Sequence, residues 1–340
     1  MKKLLGIISI LSFTGCLWAV SYLASCGDKL PVAVQDSTEE TDTDSTTDTA
    51  SDLGQAVAKE KFHLYLLIGQ SNMAGRGTVE PQDTVGNPRI LKLNRNGEWE
   101  IAREPLHFDK PVAGVGPGLA FARDMLPENS EVLIGLIPCA AGGSGITVWK
   151  PGAYWEQTNS YPYDDALKRT HRALEDGTLK GILWHQGEAD QSPQKTAAYR
   201  ERLIALVAAL RKEFNTSDVP FLAGELPHFR ENRDAFNKIL HDAKQDIPFY
   251  DVVSAEGLTP RADMVHIDAV SQRTFGKRYA QKMKALQKSA EQKMFMKGTG
   301  MRLFYRPTGT DVKETMTSCP SISCSLPDIE SGSGVTQFIK

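Results

Sequence analysis

The chain has 340 residues, of which 41% are hydrophobic and 24% are charged, a composition typical of globular proteins. Its formal net charge of −3 gives no electrostatic reason to expect nucleic-acid binding. The five cysteines form neither a Cys-x-x-Cys pair nor a zinc-ligand spacing, so they predict no metal site.

Residues 1–26 have the pattern of an export signal. Lys2 and Lys3 precede apolar runs at 4–13 and 17–24, as a basic region precedes the hydrophobic region of a signal peptide. The sequence LASC, which ends at Cys26, resembles the bacterial lipobox, whose cysteine is lipidated and becomes the new N-terminus. We therefore expect an exported protein of the bacterial cell envelope, attached to a membrane through lipid on Cys26. The alternatives are an uncleaved anchor and a plain signal peptide.

Residues 27–60 and 291–340 have the composition of irregular chain. The stretch 36–52 contains seven acidic residues and no base, and most of the rest is Ser and Thr. Such a segment buries too little apolar surface to become ordered, which favours a disordered acidic tether. In the C-terminal tail the helical periodicity fades, and Cys319 and Cys324 are either a disulfide or two free thiols.

A short apolar run near residue 65 predicts the first buried strand of the domain. It covers 64–68 and stops at Gly69, and Ser71 follows two residues later. A hydroxyl just past the carboxyl end of a buried strand lies where open α/β sheets hold their chemistry. Gly69 permits the sharp turn that would lift Ser71 out of the sheet. The alternative is an ordinary strand-to-helix turn with Ser71 or Asn72 as the helix N-cap.

Strands and helices are predicted to alternate through residues 61–290. Further strands are predicted at 131–138, 180–184, 219–223 and 249–253, with a short candidate at 89–93. Helices are predicted at about 117–126, 163–175, 194–214 and 234–244, and a long helix after residue 266. This alternation indicates an α/β fold with three α/β/α layers around a mainly parallel sheet of about five strands.

Polar residues follow several of these predicted strands. The Gly142-Gly143 turn follows the strand at 131–138 and is either an anion-binding arrangement of backbone N–H groups or a simple tight turn. Gln186 and Glu188 follow the strand at 180–184. Asp263 precedes His266 by three residues, a spacing at which the carboxylate can orient the imidazole. Together with Ser71 these groups form an inventory for acyl transfer.

Four blocks in this order resemble the SGNH hydrolase superfamily: GQSNM at 69–73, GGS at 142–144, WHQGE at 184–188, and Asp263-x-x-His266. More narrowly, they resemble the branch of carbohydrate esterase family six and the sialate O-acetylesterases. The common superfamily pattern has Asp before the serine and an Asn in a separate block. Here Gln70 and Gln186 stand at those places, as they do in this branch. The resemblance covers about residues 62–287 and implies a flavodoxin-like sheet.

The resemblance also implies a mechanism. Ser71 would attack the acetyl carbonyl, His266 would transfer the proton, and Asp263 would hold the imidazole. The backbone N–H groups of Ser71 and Gly143 and the side-chain amide of Gln186 would receive the oxyanion. No metal or cofactor is required by this chemistry.

Other side chains near these blocks are open to two interpretations. Glu188 either supports His266 from behind or holds its own loop. Asn72, Arg76 and Trp149 either contact the substrate or maintain the local structure. We expect His185 to be a packed residue, and we disfavour a metal site made of His185, Asp263 and His266.

The sequence therefore predicts a lipid-anchored serine esterase that removes acetyl groups from a polysaccharide such as acetylated xylan. Within enzymes, the alternative is a sialate O-acetylesterase, because the same blocks serve both. Outside enzymes, the alternative is an inactive glycan-binding lipoprotein of the same fold. The acetylated glycan itself, the position of its ester and the oligomeric state are not readable from the sequence.

Overall fold

A computed structural model describes residues 57–231 and 233–299, with side chains as far as residue 292. Several predicted features lie outside the described residues: the signal peptide, the predicted lipidation site Cys26, nearly all of the tether, and Cys319 and Cys324 of the tail. Within the described ranges, no helix is both long enough and apolar enough to cross a membrane.

The centre of the domain is a seven-stranded sheet with the order β3-β2-β4-β1-β5-β6-β7. The strands are β1 Phe62–Gly69, β2 Ile90–Leu93, β3 Trp99–Ile101, β4 Leu133–Pro138, β5 Thr178–His185, β6 Phe221–Gly224 and β7 Tyr250–Val253. All neighbouring pairs are parallel except β2 and β3, which are antiparallel at the edge of the sheet. The mainly parallel sheet is confirmed, but the expected number of about five strands was too low. The short strand β3 was missed because its three residues follow a turn and carry no apolar run.

The helices lie on both faces of this sheet, which confirms the three-layer α/β/α arrangement. They are α1 Ser71–Ala74, α2 Pro81–Thr84, α3 Gly118–Met125, α4 Pro162–Leu174, α5 Pro193–Ala197, α6 Tyr199–Glu213, α7 Asp234–Asp242 and α8 Ala269–Thr299. On β1, Leu64 and Leu66 belong to the core formed with α4, α6 and α7, whereas Tyr65 and Leu67 belong to the core formed with α3 and α8. Because a strand points successive side chains to opposite faces, burial on both faces explains why β1 reads as a continuous apolar run.

Two predicted boundaries differ from the observed ones. The last helix continues to Thr299, beyond the expected domain end at residue 290, because neither Gly nor Pro occurs between residue 290 and Gly298. At the other end, 59–61 form one 3₁₀ turn and Val57 packs against the core, so the folded domain takes in the last residues of the predicted tether.

The sheet places the functional residues at one edge. Strands β1 and β5 are neighbours, and Gly69 pairs with His185 at their carboxyl ends. The chain leaves β1 toward β2 on one side of the sheet and leaves β5 toward β6 on the other. Such a switch in direction opens a crevice at the carboxyl ends of the strands, which is where open α/β sheets bind their ligands.

Candidate active site

Ser71 stands at the end of β1 on a turn that requires glycine. Gly69 has φ of 130°, and a Cβ on it would lie 2.1 Å from the carbonyl oxygen of His185. The chain therefore passes β5 too closely for any side chain at this position. Gln70 is extended, and Ser71 begins the short helix α1. The serine is consequently lifted to the carboxyl edge of the sheet.

Ser71, His266 and Asp263 form a continuous hydrogen-bonded chain. The Nδ1 atom of His266 lies 2.9 Å from Asp263 Oδ2, and its Nε2 atom lies 3.1 Å from Ser71 Oγ. When Nδ1 donates to the carboxylate, the neutral imidazole leaves Nε2 to accept the Ser71 hydroxyl proton. The structure thus brings together, over 195 positions of sequence, the three residues expected to carry catalysis.

A tight turn holds Asp263 in place. Its Oδ1 atom accepts the backbone N–H groups of Val265 and His266, each at 2.9 Å, and Met264, which lies between Asp263 and Val265, has φ of 54°. Burial alone would raise the pKa of Asp263, but hydrogen bonds from the His266 backbone and ring and from the Val265 backbone outweigh it. They hold the pKa well below its usual range. Asp263 is therefore a carboxylate that stabilises a charged imidazole.

Asn72 joins the serine turn to the histidine loop. Its Oδ1 atom accepts the backbone N–H of Ile267 at 3.0 Å, and its Nδ2 atom donates to Glu188 Oε1 at 2.6 Å and to the Val265 carbonyl at 3.4 Å. Its side chain is completely buried. Of the two interpretations of Asn72, the structure favours the structural one, because all the polar atoms of its side chain bind the segments on either side of His266.

Glu188 acts through that clamp. It contacts Asn72 rather than the His266 ring, and its second oxygen, Oε2, is buried with no partner among the described residues. The structure thus places Glu188 behind the catalytic loop.

Of the two adjacent glycines in the turn after β4, one has a backbone N–H group without an acceptor among the described residues. Gly142 donates its N–H to Asp109 Oδ2 at 2.9 Å. Among the described residues, the N–H groups of Gly143 and Ser71 have no acceptor. Gly143 has φ of 80°, which lies in the left-handed region that favours glycine. Of the two glycines, Gly143 is thus the one whose N–H is available to an oxyanion.

Arg76 and Asp109 form a buried ion pair beneath this turn. Arg76 Nη2 lies 2.7 Å from Asp109 Oδ2, both side chains are almost fully buried, and Arg76 also donates to the Gly75 carbonyl. The pair connects the segment that follows Ser71 with the turn at Gly142. Of the two interpretations of Arg76, the structure therefore favours the one in which it maintains the local structure. Asp109 was missed in the sequence because it belongs to a loop without a motif.

Gln186 does not point its amide at the oxyanion position. Its Nε2 atom lies 2.7 Å from Asp190 Oδ2, 3.0 Å from the Ser144 carbonyl and 3.2 Å from Gln70 Oε1. The two N–H bonds of an amide are used up by these acceptors, and the side chain is fully buried. If the oxygen and nitrogen of the Gln186 amide were exchanged, the amide oxygen would face the Asp190 carboxylate, and two acceptors would then oppose each other. The expectation that Gln186 donates to the oxyanion is therefore corrected: in this structure it braces the loops after β1, β4 and β5.

Trp149 and His185 are structural residues. Trp149 is 3% exposed, donates Nε1 to Ser144 Oγ at 3.0 Å, and packs edge-on against Trp184. It is too deeply buried to stack on a sugar, so of the two interpretations of Trp149 the structure favours the structural one. His185 is buried against Phe275, and its Nε2 atom lies 3.0 Å from the Glu225 carbonyl. Within 57–231 and 233–299, no three His, Cys, Asp or Glu side chains are grouped to hold a metal ion.

A cavity of about 1030 Å³ adjoins the histidine loop. Asp263, Met264 and Val265 line it on one side, and Glu188 and Arg233 line it on another. Arg233 is almost fully buried, and its Nε atom has no partner among the described residues. The cavity thus offers buried polar atoms beside the catalytic residues, as small-molecule sites do.

An α/β/α sheet with a hydrogen-bonded Ser–His–Asp chain at a strand end is the arrangement of a serine hydrolase, which acts by acyl transfer. Comparison with known proteins agrees: residues 61–285 match the family described as carbohydrate esterase, sialic acid-specific acetylesterase. The chain belongs to this family of carbohydrate acetylesterases.

Individual relatives show the same relationship. A probable carbohydrate esterase of Arabidopsis thaliana is 32% identical over 241 residues, which cover 64% of this chain and 88% of the relative. The crystal structure of that plant protein superposes with a TM-score of 0.60 at 31% identity, covering 66% of this chain and 98% of the plant chain.

More distant structures share the fold. NanS gives a TM-score of 0.53 at 18% identity, covering 68% of this chain and 99% of its own. A carbohydrate acetylesterase from Xanthomonas citri gives a TM-score of 0.53 at 21% identity, covering 66% of this chain and 57% of its own.

Proposed function

We propose that the protein removes O-acetyl groups from a polysaccharide such as acetylated xylan through an acetyl-enzyme on Ser71. The observation that carries this proposal is the pair of contacts made by the His266 ring, 3.1 Å to Ser71 Oγ and 2.9 Å to Asp263 Oδ2. This geometry supplies a nucleophile, its base and the group that orients the base.

The reaction proceeds in two halves. Ser71 Oγ attacks the acetyl carbonyl while His266 Nε2 takes its proton, and the charged imidazole is stabilised by Asp263. The same Nε2 atom then protonates the departing sugar oxygen, which leaves the acetyl group on Ser71. A water molecule then attacks the acetyl carbon and gives a proton to His266 Nε2. His266 returns that proton to Ser71 Oγ as the bond to the acetyl group breaks and acetate leaves.

Two backbone groups receive the negative charge that develops on the carbonyl oxygen. They are the N–H groups of Ser71 and Gly143, since neither has an acceptor among the described residues. Donors of this kind stabilise the transition state because the fold orients them before the reaction begins. Asp109, which is paired with Arg76, accepts the N–H of Gly142 and so helps to fix the position of the neighbouring Gly143 peptide.

The second candidate function is a sialate O-acetylesterase. The description of the matching family favours it, since that description names sialic acid. The Ser71 chemistry is the same for both substrates, so the choice depends on the groups that surround the acetylated sugar.

The decisive experiment measures acetate release by the purified protein from acetylated xylan and from O-acetylated sialic acid, with Ser71→Ala as the control. Release from xylan that the Ser71→Ala variant abolishes supports the first function. Release of acetate from the sialic acid alone supports the second function, with sialylated glycans as the substrate. A folded protein that releases acetate from neither substrate but still binds a glycan contradicts the esterase and supports the binding protein.

We also propose that lipid on Cys26 anchors the enzyme to the bacterial envelope, with 27–56 as the spacer. The support is the basic and apolar pattern of the first 26 residues and the lipobox at their end. Labelling of expressing cells with a radioactive fatty acid tests it, with Cys26→Ser as the variant that should lose the label.

A further inference from the structure

A second cavity, of about 850 Å³, lies at the same edge of the sheet but on the other side of the Gly142 turn. It opens above the carboxyl ends of β2 and β4, and its lining includes Leu93, Pro138 and Ala141. Neither Ser71 nor His266 lines it. Its volume is within the range of about 300–1,000 Å³ that is usual for ligand pockets. We call it the cationic cavity because of the side chains that surround it.

Four cations that have no acidic partner among the described residues line the cationic cavity: Arg95, Lys110, Lys168 and Arg169. Arg172 also lines it but is paired with Asp176. The two acids in its lining are Asp109, which is paired with Arg76, and Asp165, which accepts the backbone N–H of Tyr161. Positive charge is therefore in excess, and concave walls concentrate the field of such a group of charges.

Two of these cations are held in place before any ligand arrives. The guanidinium carbons of Arg95 and Arg169 lie 4.9 and 4.8 Å from the centre of the Phe108 ring. Arg169 also donates to the carbonyl groups of Leu93 and Asn94, and its Nε atom is buried without a partner among the described residues. A guanidinium that is already ordered loses little entropy when it binds an anion.

A buried histidine adds an acceptor to this wall. His107 is 4% exposed, its ring donates to the Leu67 carbonyl, and its Nε2 atom has no partner among the described residues. Burial lowers the pKa of His107 to about 4, so the ring is neutral at physiological pH. Because a neutral imidazole has one N–H, and Leu67 receives it, Nε2 is left to accept a hydroxyl from the ligand. The cavity thus offers cations and a hydroxyl acceptor together.

The cationic cavity is connected to the acetyl site by one chain of contacts. Lys110 donates to Gln157 Oε1 at 3.0 Å. That oxygen would lie 2.6 Å from a Cβ placed on Gly143, so Gln157 packs directly against the oxyanion turn. A ligand in the cavity is therefore next to the acetylated sugar and not in the same place.

We propose that the cationic cavity binds a carboxylated sugar unit next to the acetylated unit of an acidic polysaccharide. This inference rests on the proposed esterase function, because it takes the ligand to be part of the same glycan. The excess of cations selects the carboxylate, and His107 Nε2 accepts a hydroxyl of the same ring. A uronic acid side branch carries both groups.

Calorimetry on the intact protein tests the cavity without any catalytic step. We expect glucuronosyl-xylotriose, which bears a carboxylate and no acetyl group, to bind at least about 10-fold more tightly than neutral xylotetraose. Raising the salt concentration should reduce this preference, because the cations are partly exposed. Equal binding of the two oligosaccharides would overturn the proposal.

Two lysines on exposed helix surfaces provide a matched pair of variants. Lys168 on α4 lines the cavity, whereas Lys277 on α8 does not, and neither has a partner among the described residues. Lys168→Gln should weaken binding of the acidic oligosaccharide about 5-fold, and Lys277→Gln should leave it unchanged. The same loss in both variants would show a general charge effect and contradict the assignment.

Turnover separates this inference from the esterase function. On acetylated glucuronoxylan, Lys168→Gln should lower the ratio of kcat/KM for the native polymer to that for its carboxyl-reduced form about 5-fold. If the protein hydrolysed every ester with no preference for the carboxylate, the esterase function would be supported and the proposed role of the cationic cavity would be contradicted. If the protein bound the acidic oligosaccharide but hydrolysed no ester, the carboxylate site would be supported and the esterase function would be contradicted. If Lys168→Gln impaired turnover of free O-acetylated sialic acid equally, the carboxylate and the acetyl group would share one sugar, against the proposal.

Discussion

The guanidinium of Arg76 and the carboxylate of Asp109 form a buried ion pair, with 2.7 Å between Nη2 and Oδ2. Arg76 belongs to the segment that carries Ser71, and Asp109 holds the N–H of Gly142. The pair therefore fixes the nucleophile and the oxyanion turn relative to one another, although it contacts neither the acetyl group nor the base.

Asp109→Asn should lower kcat for an aryl acetate about 10-fold with little change in KM. The amide keeps an acceptor for Gly142 but loses the charge that holds Arg76, so the Gly143 peptide shifts. Asp83→Asn is the matched control, because Asp83 is also buried and paired with an arginine, Arg273, but does not contact the Gly142 turn. Breaking a buried pair costs about 3–5 kcal/mol, so urea unfolding should show both variants destabilised. An equal loss of kcat in Asp109→Asn and Asp83→Asn would show that Asp109 affects catalysis only through the stability of the fold.

Asp263 should stay ionised throughout the acid range of activity. Its pKa is held below the usual range because hydrogen bonds from the backbone and ring of His266 and from the backbone of Val265 outweigh the effect of burial, so protonation of Asp263 should not contribute to the loss of activity as the pH falls. We expect log kcat/KM to decline with a slope of one on the acid side. A slope of two would show that a second group must also be deprotonated.

Replacement of the carboxylate tests the same residue by another route. Asp263→Asn should lower kcat by about 10⁴, because the imidazole loses its orientation and its counter-charge. In the parent, the depressed pKa of Asp263 stabilises the fold above the pKa of the unfolded chain, and this contribution is lost as the pH falls through the folded value. The stability of Asp263→Asn should accordingly depend less on pH in the acid range.

Gln186→Ala should affect stability more than catalysis. The substitution leaves the buried Asp190 carboxylate and Ser144 carbonyl without a donor that they have in the parent, at a cost of about 1–3 kcal/mol. We expect kcat to fall less than 10-fold, as measured by steady-state kinetics on the folded variant. A loss of about 10²–10³, which is usual for an oxyanion donor, would return Gln186 to the oxyanion hole.

Glu104 should make the protein less stable as the pH rises. Burial raises the pKa of Glu104 to about 8, and hydrogen bonds from the backbone of Leu106 and Gly116 reduce the effect only in part. Between pH 4.5, the ordinary value, and pH 8 the folded state keeps a proton that the unfolded state has lost, so the free energy of unfolding decreases with pH.

Glu104→Gln should remove most of this pH dependence, because the amide has no proton to lose. Urea unfolding at pH 5, 6.5 and 8 measures the slope, with the exposed Glu98→Gln as control. Parallel slopes for the parent and Glu104→Gln would show that Glu104 is ionised in the folded protein.

The sequence by itself predicted most of the fold and the three residues that we propose carry catalysis. The apolar runs that predicted β1, β4 and β5 are long because these central strands are buried on both faces, and such runs need no tertiary information. Ser71 and the Asp263–His266 pair were visible because each lies in a local motif, in which neighbours in sequence are also neighbours in space. By the same logic β3 was missed, since three residues at a sheet edge carry no pattern of their own.

Only the tertiary structure decided what the buried polar side chains do. Asn72, Arg76 and Gln186 lie in the blocks that predicted the active site, but each is buried and uses its polar atoms on partners from other segments. Trp149 is also buried, and it uses its Nε1 atom on Ser144 in its own turn. The choice of Gly143 over Gly142 depended on Asp109, a loop residue 33 positions away. A hydrogen bond depends on distance and direction in space, and adjacency along the chain constrains neither once the segments pack against one another.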